Sequence, residues 1–231
     1  MKKILLSSLI SFSLLGCSSS VSTSNLDQFS DYTGGKTMGD ATTFYWYTER
    51  LSQPYNAGNY VFSGDYGWYK SDYRWSEGAV REFIREGEQV QGSDLVPYRV
   101  HVRFNVNGEA VYQQYRIDDK VLPLNEEQLQ RYQLEANSIA DVTKGLVREG
   151  NTLIQGYWDG SNFETCSGQS YDEIEFNHTL PTFVVNRLSA FNSYIAVLGK
   201  TSANKIVIEE LLMLDDNSHD CIERPSLIDK G

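Results

Sequence analysis

Four glutamates lie close together in the sequence and could supply an acid and a base for cleavage of a glycosidic bond. They are Glu77, Glu82, Glu86 and Glu88. Such cleavage needs two carboxyl groups about 5 to 9 Å apart in a cleft. A chain with 31 acidic residues offers many such pairs by chance. The motifs of serine hydrolases, zinc proteases, phosphate loops and dinucleotide-binding loops are all missing from the sequence. We therefore expect no catalytic residues and no cofactor.

The N-terminal segment has the pattern of an export signal. Two lysines precede an apolar run, residues 4–15, that is too short to span a bilayer and is typical of a secretory signal peptide. The run ends at Leu14-Leu15-Gly16-Cys17, which resembles the bacterial lipobox. This resemblance implies cleavage before Cys17, acylation of that cysteine and, because Ser18 follows it, transfer to the outer membrane. The alternatives are an ordinary cleaved signal or an apolar strand that stays in the fold.

The mature protein is expected to be acidic and tethered. The signal peptide covers residues 1–16, and the serines that follow predict a flexible, lipid-anchored tether over residues 17–40. Cleavage lowers the net charge from -11 to about -13. This charge argues against nucleic acid and against anionic lipid headgroups as partners. We expect contact with the membrane through the lipid on Cys17, and binding to an envelope protein or to peptidoglycan.

The two remaining cysteines, Cys166 and Cys221, form an even pair in a compartment that oxidises thiols. A disulfide between them would stabilise the fold by about 4 kcal/mol on the chain-entropy estimate. The alternative is a metal site, because a thiolate with an imidazole can hold zinc or copper. The residues next to Cys221 that suggest it are Asp215, Asp216, His219 and Asp220. Their spacing matches no established ligand pattern, so we predict the disulfide and no metal.

Two β units flank one helix in the sequence. Residues 41–124 predict an antiparallel β domain, and residues 151–231 a small β-barrel. Between them, residues 125–150 have apolar positions three and four apart, with Asn125 and Gln128 placed as in a capping box. The predicted fold class is therefore mainly β, of the α+β type: an antiparallel β-meander, one long amphipathic helix, and a small barrel.

The clearest hairpin of the first β unit surrounds Asn107-Gly108, which predicts a two-residue type I′ turn. This register places Phe104 opposite Val111 in the core. On the wet face it places Arg99 opposite Arg116. Two like charges in that position are unfavourable unless an acid or a bound anion lies between them. We expect an acidic side chain from a neighbouring strand to be the partner.

Aromatic residues crowd the segment from residue 44 to residue 75. On one interpretation about half of them form the core of a sheet and the other rings are partly exposed. On the other they form a stacking platform for a sugar ring or a peptide, with envelope glycan strands as the ligand. The residues are Phe44, Tyr45, Trp46, Tyr47, Tyr60, Phe62, Tyr66, Trp68, Tyr69, Tyr73 and Trp75.

The C-terminal unit is similar to the OB-like C-terminal domain of the copper-resistance, surface-sensing outer-membrane lipoproteins. The residues that carry this similarity are Gly156 to Gly160, Phe163, Cys166, Gly168, Tyr194 to Gly199 and Ile206 to Ile208. The resemblance implies an OB-like barrel. That family's N-terminal Cys-x-x-Cys is absent here, so its metal role does not carry over.

Nearly the whole chain resembles the YjaH-like lipoproteins of Gram-negative bacteria. The residues that suggest this are the lipobox, Val111 to Arg116, Val121 to Leu124, Gln155 to Trp158, Leu180 to Phe183 and Asp220 to Ile222. The resemblance implies a cellular location and a fold, but it implies no activity. We expect an outer-membrane lipoprotein facing the periplasm that acts as a non-enzymatic binding or structural module of the envelope. The alternatives are a glycan-acting enzyme for peptidoglycan and a metal or redox sensor.

Overall fold

Eight antiparallel strands form the first sheet, and their order in the sheet is their order in the chain. The computed structural model describes residues 28–229. Short connections join the strands, and the one between β3 and β4 contains a single 3-10 turn at Gly64–Tyr66, so this sheet is the predicted meander. The strands are β1 (Phe29–Met38), β2 (Ala41–Arg50), β3 (Gln53–Phe62), β4 (Gly67–Ser76), β5 (Ala79–Gln91), β6 (Asp94–Phe104), β7 (Ala110–Ile117) and β8 (Lys120–Leu122).

One long helix, α1 (Glu126–Arg148), covers one face of the meander. The predicted capping box is present: Gln128 N–H donates to the Asn125 side chain at 2.8 Å, and Asn125 N–H donates to the Gln128 side chain at 2.9 Å. Gly150, at a φ of 82°, follows the helix as its left-handed cap. Buried residues on α1 and the sheet form one core: Tyr47, Tyr73, Phe83, Leu129, Ala136 and Ile139. We call this face of the meander the inner face and the opposite one the outer face.

The second sheet has six strands and is barrel-like. Its order is β11-β10-β9-β13-β14-β12, in which only β12 and β14 pair in parallel. A short helix, α2 (Thr182–Ala190), buries Val184 and Leu188 against it. The strands are β9 (Thr152–Trp158), β10 (Phe163–Thr165), β11 (Ser170–Tyr171), β12 (Glu173–Phe176), β13 (Ser193–Ser202) and β14 (Lys205–Asp216). The predicted fold class is confirmed.

Neither helix in residues 28–229 has the length and the apolar character needed to cross a membrane.

The second sheet packs on part of the outer face of the meander. Phe44 and Trp46, which alternate with the inner-face Tyr45 and Tyr47, are buried against residues of β13 and β14. The apolar partners in this junction are Tyr194, Ala196, Leu198, Leu212 and Ile222. Strand β2 is therefore buried on both faces, which explains its unbroken run of rings.

Residues 222–229 cross the outer face without regular structure, and we call them the C-terminal strap. Pro225 lies directly over Gly58, where an added Cβ would come within 3.2 Å of the proline ring. The buried carboxylate of Asp72 accepts the N–H groups of Leu227 and Ile228 at 2.9 and 3.0 Å. These contacts join the end of the chain to β3 and β4.

The tether predicted over residues 17–40 is wrong for its last part, because residues 29–38 form strand β1. The strand contains two glycines, and packing requires both: a Cβ on Gly34 would lie 2.6 Å from Leu146 of α1, and one on Gly35 would lie 2.5 Å from Leu212 of β14. Strand β1 is thus enclosed between the helix and the second sheet.

The turn predicted at Asn107-Gly108 is one residue longer than expected. Only Gly108 has a positive φ there, and the side chain of Asn105 accepts the N–H groups of Asn107 and Glu109 at 2.9 and 3.0 Å. A register shift absorbs the extra residue, so Phe104 lies opposite Ala110 and not Val111. Beyond the shift the predicted pairs are confirmed, including Arg99 with Arg116.

Candidate functional site

Five side chains form a straight line across the outer face of the meander. Each lies directly opposite the next on the neighbouring strand, because the register pairs Tyr60 with Lys70, Lys70 with Glu86, Glu86 with Arg99 and Arg99 with Arg116. We call these five residues the transverse row. With strands about 4.8 Å apart, the row is about 19 Å long. It runs from the junction with the second sheet towards the far edge of the meander.

The first end of the row is aromatic. The rings of Tyr60 and Trp68 meet edge to face with 6.3 Å between centroids, and the Lys70 amino group lies 5.6 and 5.9 Å from the two centroids. Trp68 Nε1–H donates to Glu88 at 3.0 Å, which fixes the indole. Within residues 28–229 Lys70 makes no ion pair, so its positive charge is held only by the two rings.

Tyr60 and Lys70 also line a cleft of about 590 Å³ between the meander and the second sheet. The opposite wall includes Tyr157 and His219. The Tyr157 hydroxyl donates to the His219 carbonyl at 2.9 Å, and the imidazole stacks on Tyr194 with 4.5 Å between centroids. Burial raises the pKa of the Tyr60 hydroxyl, so it remains a neutral hydrogen-bonding group in this cleft.

The floor of the cleft is cross-linked. Cys166 and Cys221 form a disulfide with 6.1 Å between their Cα atoms, which agrees with the predicted pairing. The Gln155 amide holds the next residue, accepting the Ile222 N–H at 2.9 Å and donating to the Ile222 carbonyl at 2.8 Å. The disulfide and the Gln155 hydrogen bonds therefore fix the shape of this cleft without a ligand.

The bonded Cys221 offers no thiolate to the acidic cluster that precedes it. His219 Nδ1 lies 2.6 Å from the Asp220 carbonyl oxygen and its ring is stacked on Tyr194. Within the described part of the chain, no three His, Cys, Asp or Glu side chains converge in a way that could hold a metal ion.

The second end of the row is cationic. Arg99 donates to Glu86, the acid from the neighbouring strand that the sequence predicted. Arg116, directly opposite Arg99, makes no ion pair with any residue in 28–229. Both arginines line a second cleft of about 380 Å³ together with Trp68 and Tyr98.

The four candidate glutamates all have partners. His101 and Arg103 bind Glu82 at 2.8 and 2.9 Å; burial acts to raise the pKa of Glu82, and these two hydrogen bonds outweigh it and lower the pKa. A carboxyl group that acts as a general acid needs a raised pKa. The lowered pKa of Glu82 makes it unsuited to that role. The other pairs are Glu77 with Arg81, Glu86 with Arg99, and Glu88 with Trp68.

A buried ion pair on the inner face escaped sequence analysis. Arg85 donates to both carboxylate oxygens of Glu135 on α1 at 2.8 and 2.7 Å, and to Ser71 at 2.8 Å. Its guanidinium lies 4.0 Å from the centroid of Tyr69. Because helix and sheet enclose this group, it anchors α1 and does not face a ligand.

Cys17, the predicted lipidation site, lies outside the described residues, as do the signal peptide and the first part of the tether, residues 17–27.

The fold and the row define a mainly β protein with two clefts that residues of the transverse row line. The chain belongs to the family described as Protein of unknown function (DUF1481), whose model matches residues 33–226. This match includes both sheets, both helices and most of the C-terminal strap. No curated protein and no solved structure shows a match to the chain.

Proposed function

We propose that this protein is an outer-membrane lipoprotein, anchored at Cys17 and facing the periplasm, that acts as a non-enzymatic binding module of the cell envelope. The N-terminal signal with its lipobox supports the anchor. The disulfide supports export, because such bonds persist in oxidising compartments. The resemblance to the YjaH-like lipoproteins supports the same location in the cell.

The observation that carries the binding role is the aromatic end of the transverse row. Tyr60 and Trp68 are both partly exposed, fixed by neighbours and placed beside a cross-linked cleft. Rings held in this way offer flat apolar faces with polar groups at their edges. The ligand we propose is the glycan strand of peptidoglycan, the extended polymer of this compartment.

Sedimentation with purified peptidoglycan sacculi tests the binding role. The mature protein with its disulfide intact is expected to pellet with sacculi, and replacing both Tyr60 and Trp68 by alanine is expected to abolish pelleting. Tyr66→Ala is the matched control, because Tyr66 is 69% exposed and lies outside both clefts. Failure of the unchanged protein to pellet, or equal loss with the control, contradicts the proposal.

Cell fractionation tests the anchor. Cys17→Ser is expected to release the protein from membranes and to remove acyl labelling. Ser18→Asp is the matched variant, because it keeps the cysteine and is expected to move the lipoprotein from the outer to the inner membrane. Membrane pelleting of Cys17→Ser without acyl label would contradict the anchor.

A further inference from the structure

We propose that one end of the meander docks on the lipid surface of the membrane that holds Cys17. The docking surface, which we call the apolar tip, consists of the exposed side chains of Phe29, Leu51 and Tyr55. The docking depends on the proposed lipid anchor, and it adds a non-covalent contact between the folded protein and the phospholipid. The partner is the lipid surface itself.

The apolar tip lies where the described part of the chain begins. Leu51 N–H donates to the carbonyl of Gln28 at 2.9 Å, and the rings of Phe29 and Tyr55 meet edge to face with 5.4 Å between centroids. Phe29 is 47% exposed, Leu51 62% and Tyr55 37%. Large apolar side chains that remain exposed next to one another are typical of an interaction surface.

The turn that carries Leu51 has residues that its backbone does not favour. Leu51 and Ser52 connect β2 to β3 with φ angles of 51° and 61°, in the left-handed region. Two-residue turns of this kind prefer asparagine, aspartate and glycine, and a bulky residue there is rare. Because Leu51 is 62% exposed, burial within the fold does not explain a leucine at this position. Contact with lipid does.

The length of chain before the described residues keeps the apolar tip near the membrane. Eleven residues, 17–27, precede Gln28 after cleavage at the lipobox. Even a fully extended chain of that length spans no more than about 40 Å. A short link of this kind gives the tip an effective concentration in about the millimolar range at the lipid. A contact too weak to hold a free protein is therefore populated in the anchored one.

The charges around the apolar tip favour an apolar contact. Residues 51–56 contain no charged side chain, so this turn can enter the lipid interface without removing an ion from water. The flanking charges on β2 and β1, Arg50 and Asp31, are opposite in sign. The net charge of -11 opposes attraction to anionic headgroups. The contact is therefore expected to persist on zwitterionic lipid and at high salt.

Docking of the tip leaves the transverse row in water. Tyr60, the first residue of the row, is five residues further along β3 than Tyr55, which is about 17 Å. Apolar groups at a membrane interface enter it by about 5 to 10 Å. The docked protein therefore presents the row to the periplasm in a fixed orientation.

The test uses the lipidated mature protein, with its disulfide intact, in phosphatidylcholine vesicles. Ser52→Cys places one free thiol in the turn of the tip, because lipid occupies Cys17 and the other two cysteines are bonded. Met38→Cys is the matched control, since Met38 is 69% exposed at the opposite end of β1. Each thiol carries a nitrobenzoxadiazole label. We expect a blue shift and quenching by brominated lipid at position 52, and neither at position 38, at low and high salt alike.

The decisive variant is Leu51→Asn in the Ser52→Cys protein. Asparagine adopts the left-handed conformation readily, so the melting temperature should hold or rise while the shift and the quenching are lost. Equal signals at positions 38 and 52, unchanged signals in Leu51→Asn, or a lower melting temperature of that variant overturn the docking and leave the anchor standing. Mature protein without an acyl group on Cys17, shown by mass spectrometry, overturns both.

Discussion

The buried pair of Arg85 and Glu135 gives the sharpest test of the folded core. Arg85 is 9% exposed, and Glu135 is its only ion-pair partner within residues 28–229. Replacing Glu135 with leucine leaves the guanidinium buried without a counter-charge. Breaking a buried pair in this way costs about 3 to 5 kcal/mol. That is a large part of the roughly 5 to 15 kcal/mol by which a native protein is stable.

The local hydrogen bonds place the cost towards the upper end of this range. Glu135 also accepts a hydrogen bond from Asn59 Nδ2 at 2.9 Å, and Asn59 Oδ1 is buried with no partner among residues 28–229. Loss of the carboxylate therefore leaves both Nδ2 and Oδ1 of Asn59 without a hydrogen-bond partner. Each buried polar group without a partner costs about 1 to 3 kcal/mol. Urea denaturation should show the midpoint fall by roughly 1 M or more.

Two further variants separate the charge effect from simple loss of a side chain. Glu127→Leu removes an acid that pairs with Arg131 on the exposed side of the same helix, and it should cost less than about 0.5 kcal/mol. The double variant Arg85→Met/Glu135→Leu should recover most of the lost stability, because no charge remains buried. If Glu135→Leu costs no more than Glu127→Leu, the pair is not buried as described and the reasoning fails.

Three other variants probe separate features. Replacing both Cys166 and Cys221 with serine should lower the free energy of unfolding by up to about 4 kcal/mol, measured against the oxidised protein in guanidinium. Gly145→Ala, inside α1 with its new Cβ no closer than 4.0 Å to another residue, should raise stability by about 1 kcal/mol in thermal melts; a loss would mean that α1 is packed more closely there. Burial acts to raise the pKa of Glu49, and the Lys144 amino group together with hydrogen bonds from Tyr32 and Tyr47 outweighs burial and lowers the pKa. The stability that this contributes is present above about pH 4.5 and lost as pH falls through the lowered pKa. Glu49→Gln should flatten that acid-side loss in denaturation curves between pH 7 and 3, and an identical slope would contradict the pairing.

Local signals in the sequence predicted the elements whose stability is local. The capping pair Asn125 and Gln128 predicts the start of the helix, because caps depend on residues within one turn. The opposition of Arg99 and Arg116 followed from counting along a hairpin. Counting across the turn at Gly78 would pair Lys70 with Arg85. A register shift between Arg74 and Trp75 brings Glu86 opposite Lys70 instead, so counting alone could not reveal the row.

Contacts between distant segments were not predictable in this way. Arg85 looks like a surface charge within β5, and only the approach of Glu135, 50 residues later, makes it part of the core. The serines after Cys17 predict a tether, and no local pattern shows that it ends before β1, whose two glycines are required only by contacts with α1 and β14. In the candidate site, Tyr157 and His219 join Tyr60 through the packing of two sheets, which no local pattern reports.

The C-terminal strap determines when the meander can be completed during synthesis. The chain emerges from its N-terminus, and the carboxylate of Asp72 must wait for Leu227, 155 residues later, to receive its backbone hydrogen bonds. Gly58 likewise stays uncovered until Pro225 arrives. The outer face therefore reaches its final state only when nearly the whole polypeptide is available. A chain with this order of events remains incompletely folded for most of its synthesis.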